Sequence, residues 1–202
     1  MKVLIQRTIG KDYSLTENIT REAFWNIYKP GCNEHLVLHN IRNTKSYISE
    51  LDLVAVFENE VIGHIISTKA KVVDSFNNEQ EVLCVGPLSV LPEFQKMGIG
   101  SELMNYSISV ARSLGFSGMI LFGNPDYYHR FGFRNAQEYG ITTKDGQNFE
   151  PFMALELQNN GLANAKGRFF EDDAFEPHPD DLIEFEKNFP FKEKLKTATQ
   201  LE

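Results

Sequence analysis

The chain has 202 residues and a formal net charge of −8, which excludes a protein built to neutralise nucleic-acid phosphates with clustered Lys and Arg. Hydrophobic residues at 42% and charged residues at 24% are ordinary globular values, so disorder of the whole chain is excluded, and the length suits one domain or at most two small ones. The two cysteines, Cys32 and Cys84, have neither metal-ligand spacing nor the look of a disulfide framework. The opening MKVLIQRTIGKDY lacks the apolar stretch of a signal peptide. No run approaches ~18 apolar residues, so the expectation is a soluble cytoplasmic protein with no membrane partner.

Lys2 to Arg7 reads as a short strand. From Asp12 to Tyr28 the apolar residues Leu15, Ile19, Ala23, Phe24 and Ile27 fall at helical spacing, and Pro30-Gly31 stops the run. Asn33 to Tyr47 repeats that spacing with Leu36, Val37, Ile41 and Ile48 and predicts a second helix. Leu51 to Phe57 and Val61 to Val73 are β-branched runs separated by a hairpin turn at Glu58-Asn59-Glu60. After a turn at Asn77-Asn78 comes a strand from Val82 to Val90, in which Gly86-Pro87 predicts a bulge or splay. From Ile99 the pattern turns amphipathic through Leu103, Met104, Ile108 and Ala111, and Gly115 ends it. Met119 to Phe122 is a short strand, Pro125 opens one or two helical turns, Phe131-Gly132-Phe133 leads into a strand, and Phe152 to Leu157 is a late strand. The order β-α-α-β-β-β-α-β-α-β predicts an α/β (α+β) domain with a mixed sheet over residues 1–157. Residues 158–202 read as a C-terminal extension packed on the core or trailing from it. Its Glu171-Asp172-Asp173 and Asp180-Asp181 lack metal-ligand spacing and read as solvated surface, so no metal is expected.

LPEFQKMGIGSELM, residues 91–104, joins a strand to a helix through Gly98 and Gly100. The first amides of a helix lack partners inside it. A loop that turns its own amides toward the same point, with glycines to permit the turn and a close approach, makes a site for phosphate or diphosphate. A P-loop would need Lys after the second glycine, where Ser101 stands. A dinucleotide fingerprint would need Gly or Ala where Leu103 stands. The remaining pattern, Q/R-x-x-G-x-G/A, is met in full by Gln95-Lys96-Met97-Gly98-Ile99-Gly100.

That motif resembles the cofactor loop of the GNAT N-acetyltransferase superfamily. So do Leu88-Ser89-Val90-x-Pro92 before it and Tyr128-His129-Arg130-Phe131-Gly132-Phe133 after it. The likeness runs over about residues 1–157, in a variant similar to a bacterial subgroup of mostly undefined substrate. It implies the acyl-CoA N-acyltransferase fold and transfer of acetyl from acetyl-CoA, a cosubstrate, to a primary amine by direct attack in a ternary complex. The acceptor is a small molecule or a protein amino group. The resemblance assigns the diphosphate to the main chain of Lys96, Met97, Gly98, Ile99, Gly100 and Ser101, with Gln95 adding its side chain or ordering the loop. Leu88, Ser89 and Val90 supply the strand edge for the pantetheine arm. Tyr128 matches the tyrosine that protonates the departing thiolate, while Tyr127 is expected to pack. Glu34 is the first choice for general base; His35, His39 and His64 are read first as structural, and Trp25 and Tyr28 can shape the acceptor pocket. Monomer and homodimer both stay open. A catalytically silent CoA-binding regulatory module and a dinucleotide-dependent oxidoreductase are the rival readings.

Overall fold

The structure is a computed structural model and describes residues 2–198 and 200. Among the described residues nine strands form one sheet: β1 Leu4–Arg7, β2 Tyr47–Phe57, β3 Glu60–Val73, β4 Glu79–Val90, β5 Gly118–Phe122, β6 Arg134–Asn135, β7 Ile141–Thr142, β8 Phe152–Glu156 and β9 Gly167–Phe170. Their order is β1-β2-β3-β4-β5-β8-β6, with β9 paired to both β3 and β7. The β-branched runs pair as antiparallel hairpins, β2 with β3 and β3 with β4. Glu58 (φ 48°) and Asn59 (φ 69°) both take the left-handed backbone of a two-residue hairpin turn, without the glycine that usually marks it. The mixed sheet matches the architecture expected from the sequence.

Five α-helices complete the domain among the described residues: α1 Tyr13–Phe24, α2 Glu34–Ile41, α3 Ile99–Ser113, α4 Pro125–Tyr128 and α5 Pro179–Phe185. Two are shorter than their apolar spacing predicts. α1 stops at Phe24 because Trp25 leaves helical geometry (ψ 121°) and Asn26 turns left-handed (φ 61°). Asn26 then exchanges hydrogen bonds with Gly31 and closes the loop. α2 ends at Ile41 because Tyr47 is already paired with Thr68 in the β2–β3 ladder, so Ile48 enters the core from a strand. α3 ends as expected at Gly115 (φ 84°), with the Phe116 amide donating to the Ala111 carbonyl at 3.2 Å.

α3 lays Ile99, Leu103, Met104, Ile108 and Ala111 on one face of the sheet, against Leu53, Ile65, Leu83, Met119 and Met153. Leu103 is fully buried, and cutting such a side chain to Ala costs about 2–5 kcal/mol. On the opposite face α2 packs Val37, Leu38 and Ile41 on Ile66, and a second cluster gathers Val82, Cys84, Ile120, Phe152 and Phe169. Residues beyond 157 contribute β9, with Phe169 buried, and then run as a strap over α1 and α2.

One feature of the sheet positions the site. β4 and β5 are parallel and pair only at Leu83↔Met119 and Cys84↔Ile120. The β3–β4 register then slips, from Ser67↔Val85 to Ile65↔Leu88, so Gly86 and Pro87 together oppose the single residue Ile66. This is the bulge predicted at Gly86-Pro87. Beyond it β4 and β5 part and leave a gap between them.

Candidate functional site

The last residues of β4 line that gap. Leu91 donates its amide to the Ile62 carbonyl at 2.9 Å. By the alternation of an antiparallel ladder, Ser89 gives its main chain to β3, while the peptide groups of Leu88 and Val90 turn toward the side β5 has left. The Ser89 side chain is buried and meets the Thr20 hydroxyl at 3.0 Å, pinning α1 to β4. Leu88 and the Val90 amide therefore offer a strand edge turned away from β3, and Ser89 holds that edge in place.

The loop that follows curls at two left-handed positions, Lys96 (φ 62°) and Gly98 (φ 90°), and Gly98 caps α3. The amides of Lys96, Met97, Gly98, Ile99 and Gly100 donate to no acceptor among the described residues, whereas the Ser101 amide, expected to join them, is taken by the Gly98 carbonyl at 3.0 Å because the first turn of α3 closes on it. They sit at the positive end of a fifteen-residue helix. Gln95 reaches back with Nε2 to the Val90 carbonyl at 3.0 Å and so ties the loop to the strand edge. Met97 is exposed, whereas the Ile99 side chain is in the core and only its amide faces the mouth.

The two glycines serve different ends. A Cβ at Gly98 would meet nothing within 4 Å, so its backbone angle alone calls for glycine. A Cβ at Gly100 would lie 2.7 Å from the Tyr127 hydroxyl. Tyr127 was expected to pack away from the site; instead its hydroxyl lies at the helix mouth, in the space that Gly100 leaves open. Arg130 lies over the Tyr127 ring at 4.7 Å.

Tyr128 enters from the other wall of the gap. Asn124 caps α4 by accepting the Asp126 amide at 2.9 Å, and Pro125 fills the first turn. The Tyr128 ring lies against Gly123, where any side chain would collide with it, and meets Phe133 edge-on at 5.8 Å. Burial holds the phenol well above its ordinary pKa, with Tyr127 and Tyr28 adding to the shift. The group is therefore protonated at neutral pH, and its hydroxyl makes no hydrogen bond among the described residues.

The loop after α1 and the start of α2 bring up the third wall. Tyr28 is close enough to Tyr128 to raise its pKa, and Glu34 is close enough to Tyr28 to raise that of Tyr28. Glu34 Oε2 accepts the Asn33 amide at 3.0 Å, which fixes the carboxylate at the first turn of α2. The histidines weighed beside it belong to other networks. His64 is fully buried with Nε2 2.7 Å from Asp52 Oδ1, and Asp52 also takes Arg42 Nε at 2.9 Å. Burial keeps His64 below its ordinary pKa, while its bond and that of Arg42 overcome burial at Asp52 and hold that carboxyl low. His39 pairs with Glu17 at 2.9 Å. His35 is buried, with Nδ1 3.4 Å from Cys32 Sγ and Nε2 2.7 Å from Glu186 Oε1, and burial lowers its pKa to about 4.

Glu186 belongs to the C-terminal strap. Buried Arg21 donates to it at 2.8 Å and to the Pro190 carbonyl at 3.2 Å. Trp25 Nε1 donates to the Glu193 carbonyl at 2.9 Å, and Asn26 Oδ1 accepts the Leu195 amide at 3.0 Å. The strap thus braces the loop that carries Tyr28 and Glu34. No spacing rule links positions 21 and 186; the only hint is an acid set between Phe185 and Phe189. Among the described residues no group of three or more His, Cys, Asp or Glu is placed to hold a metal ion, and no helix is long and apolar enough to cross a membrane.

A family model described as Acetyltransferase (GNAT) family matches residues 18–133. The uncharacterized N-acetyltransferase YjhQ of Escherichia coli (strain K12) is 35% identical over 86 residues, 41% of this chain and 45% of that protein. The match thus spans less than half of that curated relative. Among solved structures, the GNAT family N-acetyltransferase YhbS from Escherichia coli in complex with CoA superposes with a TM-score of 0.77 at 20% identity, over 88% of this chain and 93% of its own. A GNAT family acetyltransferase from Brucella melitensis in complex with acetyl-CoA gives 0.71 at 25% identity, over 86% and 98%.

Proposed function

This chain belongs to the GNAT acetyltransferase family, and from that premise we propose that it is an acetyl-CoA-dependent N-acetyltransferase acting on a primary amine of a small molecule or a protein. The observation that carries this reading is the set of unpaired amides from Lys96 to Gly100 at the mouth of α3. They hold the diphosphate of the cofactor, as hydrogen-bond donors at a helix N-terminus hold anions. The pantetheine arm pairs with the edge at Leu88 and Val90 as an added strand would. A peptide N–H there faces the thioester carbonyl and stabilises the oxyanion, a contribution of about 2.7–4 kcal/mol for one such donor.

The amine nitrogen attacks the thioester carbon directly while donor and acceptor are both bound, and the C–S bond breaks. Tyr128 gives its phenolic proton to the departing thiolate. Glu34 takes the proton the amine loses, directly or through water, with Tyr28 beside it. The product is the N-acetyl amine and free coenzyme A. Two buried thiols, Cys32 and Cys84, with no disulfide support placement in a reducing cytoplasm. Monomer and homodimer are both compatible with the site.

Calorimetry with acetyl-CoA and a thiol-release assay over an amine panel test the reading together. Gly98→Val should weaken acetyl-CoA binding by about 100-fold, since it closes the left-handed turn that aims the amides. Tyr128→Phe should bind acetyl-CoA as the wild type does and lose about 10²–10⁴ in turnover. Wild-type protein that ignores acetyl-CoA, or a Gly98→Val variant that binds it normally, overturns the proposal. Unaltered turnover in Tyr128→Phe removes that residue from the mechanism.

A further inference from the structure

On the sheet face opposite α3, a cavity of 240 Å³ opens beside the end of β5, with Phe122, Phe149, Phe169, Lys144, Glu171 and Glu176 among its walls. Two of those walls are apolar surface left in water. Phe122 and Phe149 are each 45% exposed and stack at 5.9 Å and 27°. Phe122 rests in turn on buried Phe152 at 4.9 Å, so the pair forms a firm aromatic platform.

The charges facing the platform are unbalanced. Lys144 is taken by Glu176 at 2.6 Å. Glu171 is half-buried in the chain that leaves β9, and its carboxylate makes no hydrogen bond among the described residues. Burial raises its pKa, with Lys144 opposing and Glu176 adding to the rise, so a cation delivered to it would relieve that cost. An anion would meet the carboxylates of Glu171, Glu176 and Asp145, and a purely apolar ligand would leave Glu171 unanswered. An alkylammonium group satisfies both surfaces, its charge against the carboxylate and its face on the rings.

Two of the cavity's walls lead toward the reaction gap. Phe122 is followed directly by Gly123, the seat of the Tyr128 ring, and Glu176 follows Phe175, which lies outside the cavity and reaches within 3.9 Å of the Cβ position of Gly86, where β4 leaves β5. We infer that this cavity receives the distal ammonium group of an alkyl diamine acceptor, with Glu171 as its counter-ion and Phe122 and Phe149 as its walls. The inference rests on the transferase reading for its purpose, and adds the substrate class.

The test compares 1,5-diaminopentane with pentylamine, first by calorimetry on the full chain without acetyl-CoA, then as acceptors at saturating acetyl-CoA. The diamine should bind at least about tenfold tighter than the monoamine, as expected for a charge-assisted contact. Glu171→Gln should erase the preference in both binding and acceptor KM, Glu171→Asp should keep part of it, and Phe149→Leu should reduce it several-fold. The KM for acetyl-CoA should stay fixed in all three. No preference in the wild type, or a preference that survives Glu171→Gln, overturns the inference. A preference in binding without any acetylated product would keep the cavity and sink the transferase reading. Acetylation that Glu171→Gln leaves unchanged would do the reverse.

Discussion

The mouth of α3 and the loop between α1 and α2 flank the same gap, yet they are held by different kinds of structure. At the mouth, everything needed lies within a few residues: two left-handed positions, a helix start and a glutamine that reaches back to Val90. The end of α1 and the loop after it are held from a distance, Arg21 by Glu186 and Pro190 of the strap, Trp25 and Asn26 by Glu193 and Leu195. A site for a cofactor common to a whole family can be local, because its ligand never changes. A site for an acceptor can be shaped by the remote chain, and here the remote chain is the part that falls outside residues 18–133.

Cutting the strap's main anchor should break the two regions apart most clearly. Arg21→Ala leaves Glu186 without its principal partner inside a largely closed contact, and losing one member of such a pair costs about 3–5 kcal/mol. Urea unfolding should show that loss. Acceptor KM should rise while the acetyl-CoA dissociation constant stays put. If both constants move together, the two regions are one unit and the contrast is wrong. A paired Arg21→Met, Glu186→Leu variant should recover much of the stability.

Next in size is an acid response confined to the strap side. His35 faces Glu186, Arg21, Lys194 and Cys32, and burial lowers its pKa from 6.5 to about 4. Between those values the unfolded chain binds the proton that the folded chain refuses. Stability therefore rises with pH across the window from 4 to 6.5 and is lost as pH falls through it. Glu186 has a lowered pKa and adds loss of the same sign below its ordinary value of 4.5. The His35 share is on the order of 3 kcal/mol. His35→Gln should flatten that part of the stability profile; an unchanged slope would mean the histidine is not held neutral.

What could be read in the chain, and what could not, divides along the same line. Gly98, Gly115 and the bulge at Gly86-Pro87 announce themselves because a backbone angle is a local demand. Tyr128 stands in a run whose spacing is itself the signal. The end of α1 was hidden because Trp25 and Asn26 obey partners at Glu193 and Leu195 rather than their own spacing. The span of α2 was overdrawn because Ile48 suits a strand as well as a helix. Tyr127 was misplaced because its hydroxyl needs the missing Cβ of Gly100, a contact between two elements. The Arg42–Asp52–His64 network and the pairing of β9 with β3 have no spacing signature at all. Glu34 is proposed from its place between two helices, and its bond to the Asn33 amide is a detail of the folded loop.

The smallest expected effect probes whether the strap works by position alone. Trp25→Phe removes the indole donor to the Glu193 carbonyl while keeping an aromatic ring beneath Arg21, which lies 4.2 Å from the ring centre. A single hydrogen bond of this kind contributes about 0.5–1.5 kcal/mol, so the fold should survive with a slightly lower unfolding midpoint. Amide exchange should quicken in residues 190–195 and not at the mouth of α3. If the strap positions Tyr28 and Glu34, acceptor KM should rise a few-fold even though no group near the chemistry has changed. A variant with faster exchange in the strap but an unmoved KM would show that the strap stabilises the loop without setting its geometry, and the acceptor region would then be as self-contained as the cofactor mouth.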